Sequence, residues 1–183
     1  SASSNRLLIA GNRLEQPVNG GMDLYLADSI VTHNDIRVAS LAAGKRLLRL
    51  NTEPGEAINT LVSNNTFFGG ALTNVLFEYV GADADANGLI LANNIFRIGT
   101  ILGHQNGQWI GNDFAGCTID FQSKTGIRVL GGDMTGCTLQ NIVINTARGY
   151  VNGGGWGTIA EGDTNNLPAL DIQGADCICE NIA

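Results

Sequence analysis

The sequence predicts an all-β solenoid of about eight stacked coils, on three observations. A cassette at Gly111–Ile119 returns at Gly131–Leu139, with every position offset by 20 residues. Weaker copies with related residue types occur both upstream and downstream of this pair. Apolar residues also recur at short, strand-like intervals around Gly and Asn bends, without a 3.6-residue period. Such a period is typical of solenoids, in which a repeat buries its apolar face only by stacking on its neighbours.

Each coil is predicted to contain two or three short strands that are joined by bends. Asn tolerates a left-handed backbone, and stacked Asn amides can form hydrogen bonds along the axis of a solenoid. A Thr column is expected to face outward, and it comprises Thr100, Thr118, Thr138 and Thr158. The Asn column comprises Asn12, Asn34, Asn64, Asn93, Asn112 and Asn152, with the choice between Asn64 and Asn65 open.

Three segments lengthen the regular period, at residues 42–58, 74–88 and 161–167. Extra residues in a solenoid commonly emerge as loops on one side, where binding surfaces are built. All three segments carry carboxylates. We therefore expect these loops to form the ligand-binding side.

Composition bounds the possible functions. The net charge is -7 and the ten basic residues are scattered along the sequence, which disfavours nucleic-acid binding. No apolar run approaches the roughly 20 residues that span a bilayer, so no membrane insertion is expected. The four cysteines fit no disulfide or zinc pattern and are interpreted as small buried side chains. Residues 1–183 are expected to form one domain of a longer chain, with flanking domains or partner chains at its ends.

The Asn column and the Gly- and Asn-punctuated coils resemble the right-handed parallel β-helix of pectate-lyase-like proteins. The resemblance covers residues 7–182, and the uneven coil lengths make the chain most similar to a bacteriophage tailspike or tail-fibre shaft. It implies an extracellular or virion-borne homotrimer, associated with other virion proteins. It also implies that the shaft binds, and in some members cleaves, bacterial cell-surface polysaccharide.

Two alternatives remain open at this stage. One is a monomeric secreted polysaccharide lyase, hydrolase or epimerase of the same superfold. The other is a purely structural or adhesive solenoid. Fold analogy alone does not decide among these functions.

Two pairs of carboxylates are candidates for catalysis. Asp113 and Asp133 occupy equivalent positions of successive coils, where strand spacing would place them ~5 Å apart. Carboxylates at that separation can share a proton and suit acid–base or nucleophilic work on a glycosidic bond. Glu53 and Glu56 flank Pro54-Gly55 and form the second pair, acting across a subunit boundary. The alternative for both pairs is a polar turn.

Four residues are candidates for substrate binding. Trp156 and Tyr150 lie beside a Gly-rich bend, where they could stack on sugar rings. Asp120 and Gln140 follow the Thr column on successive coils and would extend a polar groove. The alternative for Trp156 and Tyr150 is a packing role in a small apolar cluster. The alternative for Asp120 and Gln140 is that they are solvent-exposed surface residues without a ligand.

A calcium site is the remaining candidate. Asp83, Asp85 and Asn87 precede Gly88 with the spacing of the first half of a calcium loop. Position 12 of that motif is Asn94 instead of the bidentate Glu, and Asn94 also belongs to the coil pattern. The alternative is a polar turn that closes a long insertion.

Overall fold

The computed structural model describes residues 6–16, 19–43, 45–120, 128–130, 132, 138–140, 142–144, 150–152, 158–159, 170–172 and 178–180. From residue 128 onward, the strands are described by their backbone alone. Within these residues, the chain is all-β apart from one 3₁₀ turn at Asp83–Ala86. The described part contains no helix long and apolar enough to cross a membrane.

The strands are short, as the Gly and Asn bends predict. The first eleven are β1 (Leu8–Ala10), β2 (Arg13–Glu15), β3 (Met22–Tyr25), β4 (Ile30–Thr32), β5 (Asp35–Arg37), β6 (Arg46–Asn51), β7 (Leu61–Ser63), β8 (Thr66–Phe68), β9 (Val75–Tyr79), β10 (Ile90–Ala92) and β11 (Ile95–Arg97). The others are β12 (Thr100–Leu102), β13 (Gln108–Ile110), β14 (Thr118–Asp120), β15 (Arg128–Leu130), β16 (Thr138–Gln140), β17 (Ile142–Ile144), β18 (Tyr150–Asn152), β19 (Thr158–Ile159), β20 (Leu170–Ile172) and β21 (Ile178–Glu180).

These strands form three larger sheets in which each strand pairs with its counterpart one repeat away. The first sheet has the order β1-β4-β7-β10-β13-β15-β18-β21, the second β2-β5-β8-β11, and the third β3-β6-β9-β12-β14-β16-β19. A fourth, small sheet pairs β17 with β20, and the strand pairings described in all four sheets are parallel. The predicted all-β, parallel-strand character is therefore confirmed.

The core lies between the sheets and is built from in-register apolar files. Leu91 pairs with Val62 on one side and with Trp109 on the other, and all three side chains are fully buried. At the second sheet, the Phe96 ring stacks between Phe67 and Phe114 with centroid distances of 5.0 and 5.1 Å. Stacked aromatic pairs contribute about 0.5–1.5 kcal/mol beyond the burial of their area.

Amide side chains form a continuous ladder at the bend between the first and second sheets. The Nδ2 of each Asn donates to the Oδ1 of the next, at 2.9–3.0 Å, through Asn12, Asn34, Asn65, Asn94 and Asn112. The same Oδ1 atoms also accept the backbone N–H of the preceding Asn. The second Nδ2 hydrogen donates to a strand carbonyl, as from Asn65 to Val31. Asn34, Asn65, Asn94 and Asn112 are buried, which their paired polar atoms permit.

The predicted Asn column was wrong by one residue at Asn93, and the open choice between Asn64 and Asn65 falls on Asn65. Asn64 and Asn93 lie just before the ladder, with φ of 54° at both, and Asn65 and Asn94 carry the ladder amides. Asn suits both positions, since it tolerates the left-handed region and its amide can bridge coils.

The first two lengthened segments are not simple loops. Residues 42–58 contain β6, and residues 74–88 contain β9 and the 3₁₀ turn. β6 pairs with β3 and β9 in the third sheet. Part of the extra length therefore adds to the sheet wall. Residues 161–167 lie outside the described residues.

Candidate functional site

The outward side of the third sheet, here called the third-sheet face, carries polar and charged side chains on several of its strands. On β12, the position that pairs with Asp120 is the buried Leu102. Asp23 pairs with Arg49, and Arg49 pairs with Glu78. Further along, Asp120 pairs with Gln140. The structure thus brings together two residues that the sequence nominated for a polar groove.

Threonines run along the same face beside these residues. Thr100 pairs with Thr118, Thr118 with Thr138, and Thr138 with Thr158. The predicted Thr column is confirmed as a register. Thr100 Oγ1 donates to the Leu72 carbonyl at 2.8 Å. The side chains of Thr100 and Thr118 are half-buried, and Ile119 beside them is fully buried, so the threonines lie on the outward side.

Five charged residues gather at the β3 end of this face and are called here the charged cluster: Asp23, Lys45, Arg46, Arg49 and Glu78. Arg46 forms a two-point ion pair with Glu78, from Nε to Oε2 at 2.7 Å and from Nη2 to Oε1 at 3.2 Å. Both side chains are largely buried, at 22% and 17% exposure. This pair is the geometrically strongest contact of the cluster, because the guanidinium fork matches a carboxylate.

Arg49 makes fewer and longer hydrogen bonds than Arg46. Its Nη1 donates to Asp23 Oδ2 at 3.3 Å, and its Nε lies 4.0 Å from Glu78 Oε2. That Nε is buried and forms no hydrogen bond with the residues that the structure describes. The Nε faces Glu78 inside the cluster, while 42% of the Arg49 side chain is exposed toward solvent.

A cavity of about 120 Å³ opens beside the charged cluster. Gly21, one of its lining residues, packs directly on the β6 backbone, because a Cβ on Gly21 would lie 2.2 Å from the Leu47 carbonyl oxygen. Gly20 has a φ of 108°, which an L side chain rarely adopts. The cavity lining therefore requires both glycines. The cavity is lined by Gly20, Gly21, Asp23, Lys45, Arg46 and Arg49, among others.

The first sheet differs on its outward side, here called the first-sheet face. Across β1, β4, β7, β10 and β13 its strands contain no charged residue. Leu8 pairs with Ile30, and their side chains are 69% and 43% exposed. Leu61 continues the same file. Contiguous exposed apolar surface of this kind is typical of protein contacts.

Asp113 lies on the outward side of the second sheet and is held by Arg97. Arg97 forms two hydrogen bonds with the Asp113 carboxylate, from Nη1 to Oδ1 at 2.7 Å and from Nη2 to Oδ2. Asp113 Oδ1 also accepts the Ala115 N–H at 3.2 Å, which closes a local turn. Its proposed catalytic partner, Asp133, lies outside the described residues.

Glu53 and Glu56 belong to one hydrogen-bonded turn. The Glu56 N–H donates to the Glu53 carbonyl at 3.1 Å, and Thr52 Oγ1 donates to the Glu56 carbonyl at 3.3 Å. The Gly55 N–H between them donates to Asp85 Oδ2 at 3.0 Å. The turn therefore packs on the 3₁₀ turn at Asp83–Ala86.

The candidate calcium ligands have protein partners. Asp85 is buried and accepts the Gly55 N–H, whereas Asp83 is exposed. Asn87 accepts from Asn106 at 2.8 Å and donates to the Ala84 carbonyl at 2.8 Å. Among the described residues, no three His, Cys, Asp or Glu side chains form a group that could hold a metal ion. The calcium site stays a prediction.

The remaining nominated residues lie where side chains are not described. Trp156 is outside the described residues, and Tyr150 is described only as the first backbone position of β18. Gln140 is placed by the backbone pairing of β16 alone. The sugar-stacking platform stays a prediction.

His104 is a buried polar residue that the sequence analysis did not single out. It is fully buried among the rings of Phe77, Tyr79 and Trp109. Burial lowers the pKa of His104 to about 4, and the Leu89 backbone opposes this shift only in part. Neither ring nitrogen forms a well-aligned hydrogen bond with a described residue. His104 is therefore neutral at neutral pH.

No protein family matches the chain, and no curated protein or solved structure is significantly similar to it. The functional argument therefore rests on the geometry. Sequence reasoning missed the charged cluster, although three of the ten basic residues fall within positions 45–49 and Gly20-Gly21 signals a constrained turn.

Proposed function

We propose that this chain is a right-handed parallel β-helix of about eight coils that binds bacterial cell-surface polysaccharide, in the manner of a tailspike or tail-fibre shaft. Parallel pairing between successive repeats supports the solenoid, as does the Asn ladder that links five coils. The eight strands of the first sheet support the coil count.

The observation that carries the binding proposal is the third-sheet face. It presents hydroxyl, carboxylate and guanidinium groups in register on strands ~4.8 Å apart. A polysaccharide offers repeating hydroxyl groups along an extended chain. A flat polar face with a regular repeat suits that ligand better than a compact small molecule, which needs an enclosed pocket.

The first-sheet face supports a homotrimer. It is uncharged over five strands of a chain that carries 27 charged side chains in total, 17 acidic and 10 basic. Charged side chains are depleted where an interface is buried. Packing this face against sister copies would leave the third-sheet face in solvent for the glycan.

Asp113 with Asp133, or Glu53 with Glu56, are the carboxylate pairs that would cleave the glycan in an enzymatic form of this proposal. The Arg97 contact and the turn at Asp113 give that carboxylate a structural role as well. The binding proposal does not depend on cleavage.

Two measurements on the full chain test the proposal. Affinity electrophoresis through gels that contain capsular or O-antigen polysaccharides should retard the protein on at least one glycan. Light scattering after size exclusion should give three times the chain mass. A monomer that cleaves a polysaccharide would instead support the single-chain enzyme, and a protein without retention or cleavage would support the structural solenoid.

A matched pair of substitutions locates the subunit contact. Ile30→Glu, on the first-sheet face, should convert the trimer to monomer. Ile95→Glu, on the second sheet, should leave the trimer intact, and it is an appropriate control because the two isoleucines are 43% and 41% exposed. Equal effects of both substitutions would contradict this contact.

A further inference from the structure

We infer that the cavity beside the charged cluster binds the carboxylate of an acidic sugar, so that the polysaccharide recognised by this chain is anionic. The inference rests on the proposed function in naming the class of glycan. The observations that carry it are the charge balance of the cluster, the different hydrogen bonding of its two arginines, and the open cavity beside them.

The charge balance favours an anion. Lys45, Arg46 and Arg49 contribute three positive charges, and Asp23 and Glu78 contribute two negative charges, which leaves one positive charge in excess. The chain as a whole has a net charge of -7. A local positive excess in an acidic protein attracts anionic ligands to one place and repels them elsewhere.

The two arginines have different roles in this site. Arg46 is held in place by two hydrogen bonds to Glu78, so it has a structural role in the site. Arg49 makes one long hydrogen bond to Asp23, and its side chain is 42% exposed. Lys45 is exposed and forms no ion pair with the described residues. Arg49 and Lys45 are therefore the ligand-binding cations.

The exposed Asp23 carboxylate already occupies part of the position that a ligand would take. Its 58% exposed side chain contacts Arg49 at 3.3 Å. A planar carboxylate on a sugar could engage the Arg49 fork through two hydrogen bonds and displace this contact. Asp23 is thus a competitor for the ligand, and its removal should strengthen binding.

The cavity of about 120 Å³ is open on its solvent side and is lined by Asp23, Lys45 and Arg49 among others. A sugar carboxylate in this cavity would leave the remaining sugars along the third-sheet face.

Titration calorimetry of the full chain with D-glucuronate, D-glucose and inorganic sulfate tests the inference. We expect millimolar binding of glucuronate and at least tenfold weaker binding of glucose and sulfate. Arg49→Gln and Lys45→Gln should each weaken glucuronate binding about tenfold. Asp23→Asn should strengthen it about threefold or more.

The second sheet supplies matched controls. Arg37 and Asp35 form an exposed ion pair like that of Arg49 and Asp23. Arg37→Gln and Asp35→Asn should leave glucuronate binding unchanged. Equal weakening by Arg37→Gln and Arg49→Gln would overturn the inference, as would an Asp23→Asn chain that binds no tighter than the unmodified chain.

Sulfate binding as tight as glucuronate binding would also overturn it, because the site would then be a general anion site. Retention on polysaccharides in affinity electrophoresis separates this inference from the proposed function. Retention on neutral polysaccharides that is unaffected by Arg49→Gln would leave polysaccharide binding intact and reject the acidic sugar. Glucuronate binding without retention on any polysaccharide would support the pocket and reject the proposed function.

Discussion

The Asn ladder and the charged cluster use similar polar groups in opposite ways. In the ladder, Asn34, Asn65, Asn94 and Asn112 are at most 2% exposed, and their amide oxygens and nitrogens bond to neighbouring coils. In the charged cluster, Arg49 keeps a buried N–H without an acceptor, and Lys45 is exposed. Where the hydrogen-bonding capacity is filled, the residues hold the fold together. In the charged cluster, where part of it is left open, we propose that the surface binds a ligand.

The largest expected loss of stability comes from a substitution in the Asn ladder. Asn65→Ala removes the acceptor of the Asn34 backbone and side-chain N–H groups and the side-chain donor to the Val31 carbonyl and to Asn94 Oδ1, which keeps only the Asn65 backbone N–H. Each buried group left unpaired costs about 1–3 kcal/mol, so we expect a loss of ~3 kcal/mol or more in the free energy of unfolding. Chemical denaturation measures this loss.

The neighbouring residue provides the control. Asn64 is exposed with a φ of 54°, so Asn64→Ala loses only backbone preference, about 1 kcal/mol. If the two substitutions cost the same, the ladder would not be the structural element described here.

The next effect concerns His104, a buried polar group outside the ladder. Its pKa is lowered by burial to about 4 from an ordinary value of 6.5, so the unfolded chain binds more protons between these values. Stability from this group is fully present above pH 6.5 and is lost as the pH falls toward 4. The loss amounts to at most ~3 kcal/mol, at 1.36 kcal/mol per pKa unit.

Denaturation between pH 4 and 7 measures this dependence. His104→Leu should flatten it over that window. His33→Asn is the control, because His33 is exposed at a φ of 54° that Asn tolerates. A pH dependence that survives His104→Leu and disappears in His33→Asn would contradict the assignment.

A smaller effect is expected inside the charged cluster. Glu78→Gln removes the carboxylate that pairs with Arg46, and both side chains are less than one-quarter exposed. We expect a loss of about 1–2 kcal/mol, more than for an exposed ion pair. Thermal denaturation measures it against Glu15→Gln, whose pair with Arg13 is well exposed. Equal losses would show that burial of the Arg46–Glu78 pair contributes nothing.

The smallest effect on stability is expected at Asp113. Asp113→Asn weakens a half-exposed ion pair to Arg97, which contributes about 0.2–1 kcal/mol. Glycan retention should remain unchanged, because Asp113 lies on the second sheet and not on the third-sheet face. A reducing-end assay on the same samples gives Asp113 a catalytic role if cleavage is present in the unmodified chain and absent in this variant.

The sequence predicted the repeat, the parallel strands and the Thr register, because a fixed offset carries strand pairing directly. It misplaced the ladder at Asn93 and left Asn64 and Asn65 undecided, since consecutive asparagines suit either the left-handed bend or the amide bridge. Only the three-dimensional hydrogen bonds distinguish Asn65 from Asn64.

The charged cluster escaped prediction for a different reason. Residues 42–58 appeared as an insertion, so β6 and its outward Arg46 and Arg49 were not placed on a sheet face. The partners Asp23 and Glu78 are separated from them by 26 and 32 residues in the sequence. Predicting such pairs requires the strand register, which cannot be read from the sequence where the spacing of the early repeats varies.

The central claim is that the third-sheet face binds the polysaccharide, and retention of two matched threonine variants tests it most directly. Thr118→Gln, on the third-sheet face, and Thr66→Gln, on the second sheet, each place a larger neutral side chain at a half-buried outward position. We expect Thr118→Gln to weaken retention in affinity electrophoresis at least fivefold and Thr66→Gln to leave it unchanged. Retention lost with Thr66→Gln and kept with Thr118→Gln would contradict the claim.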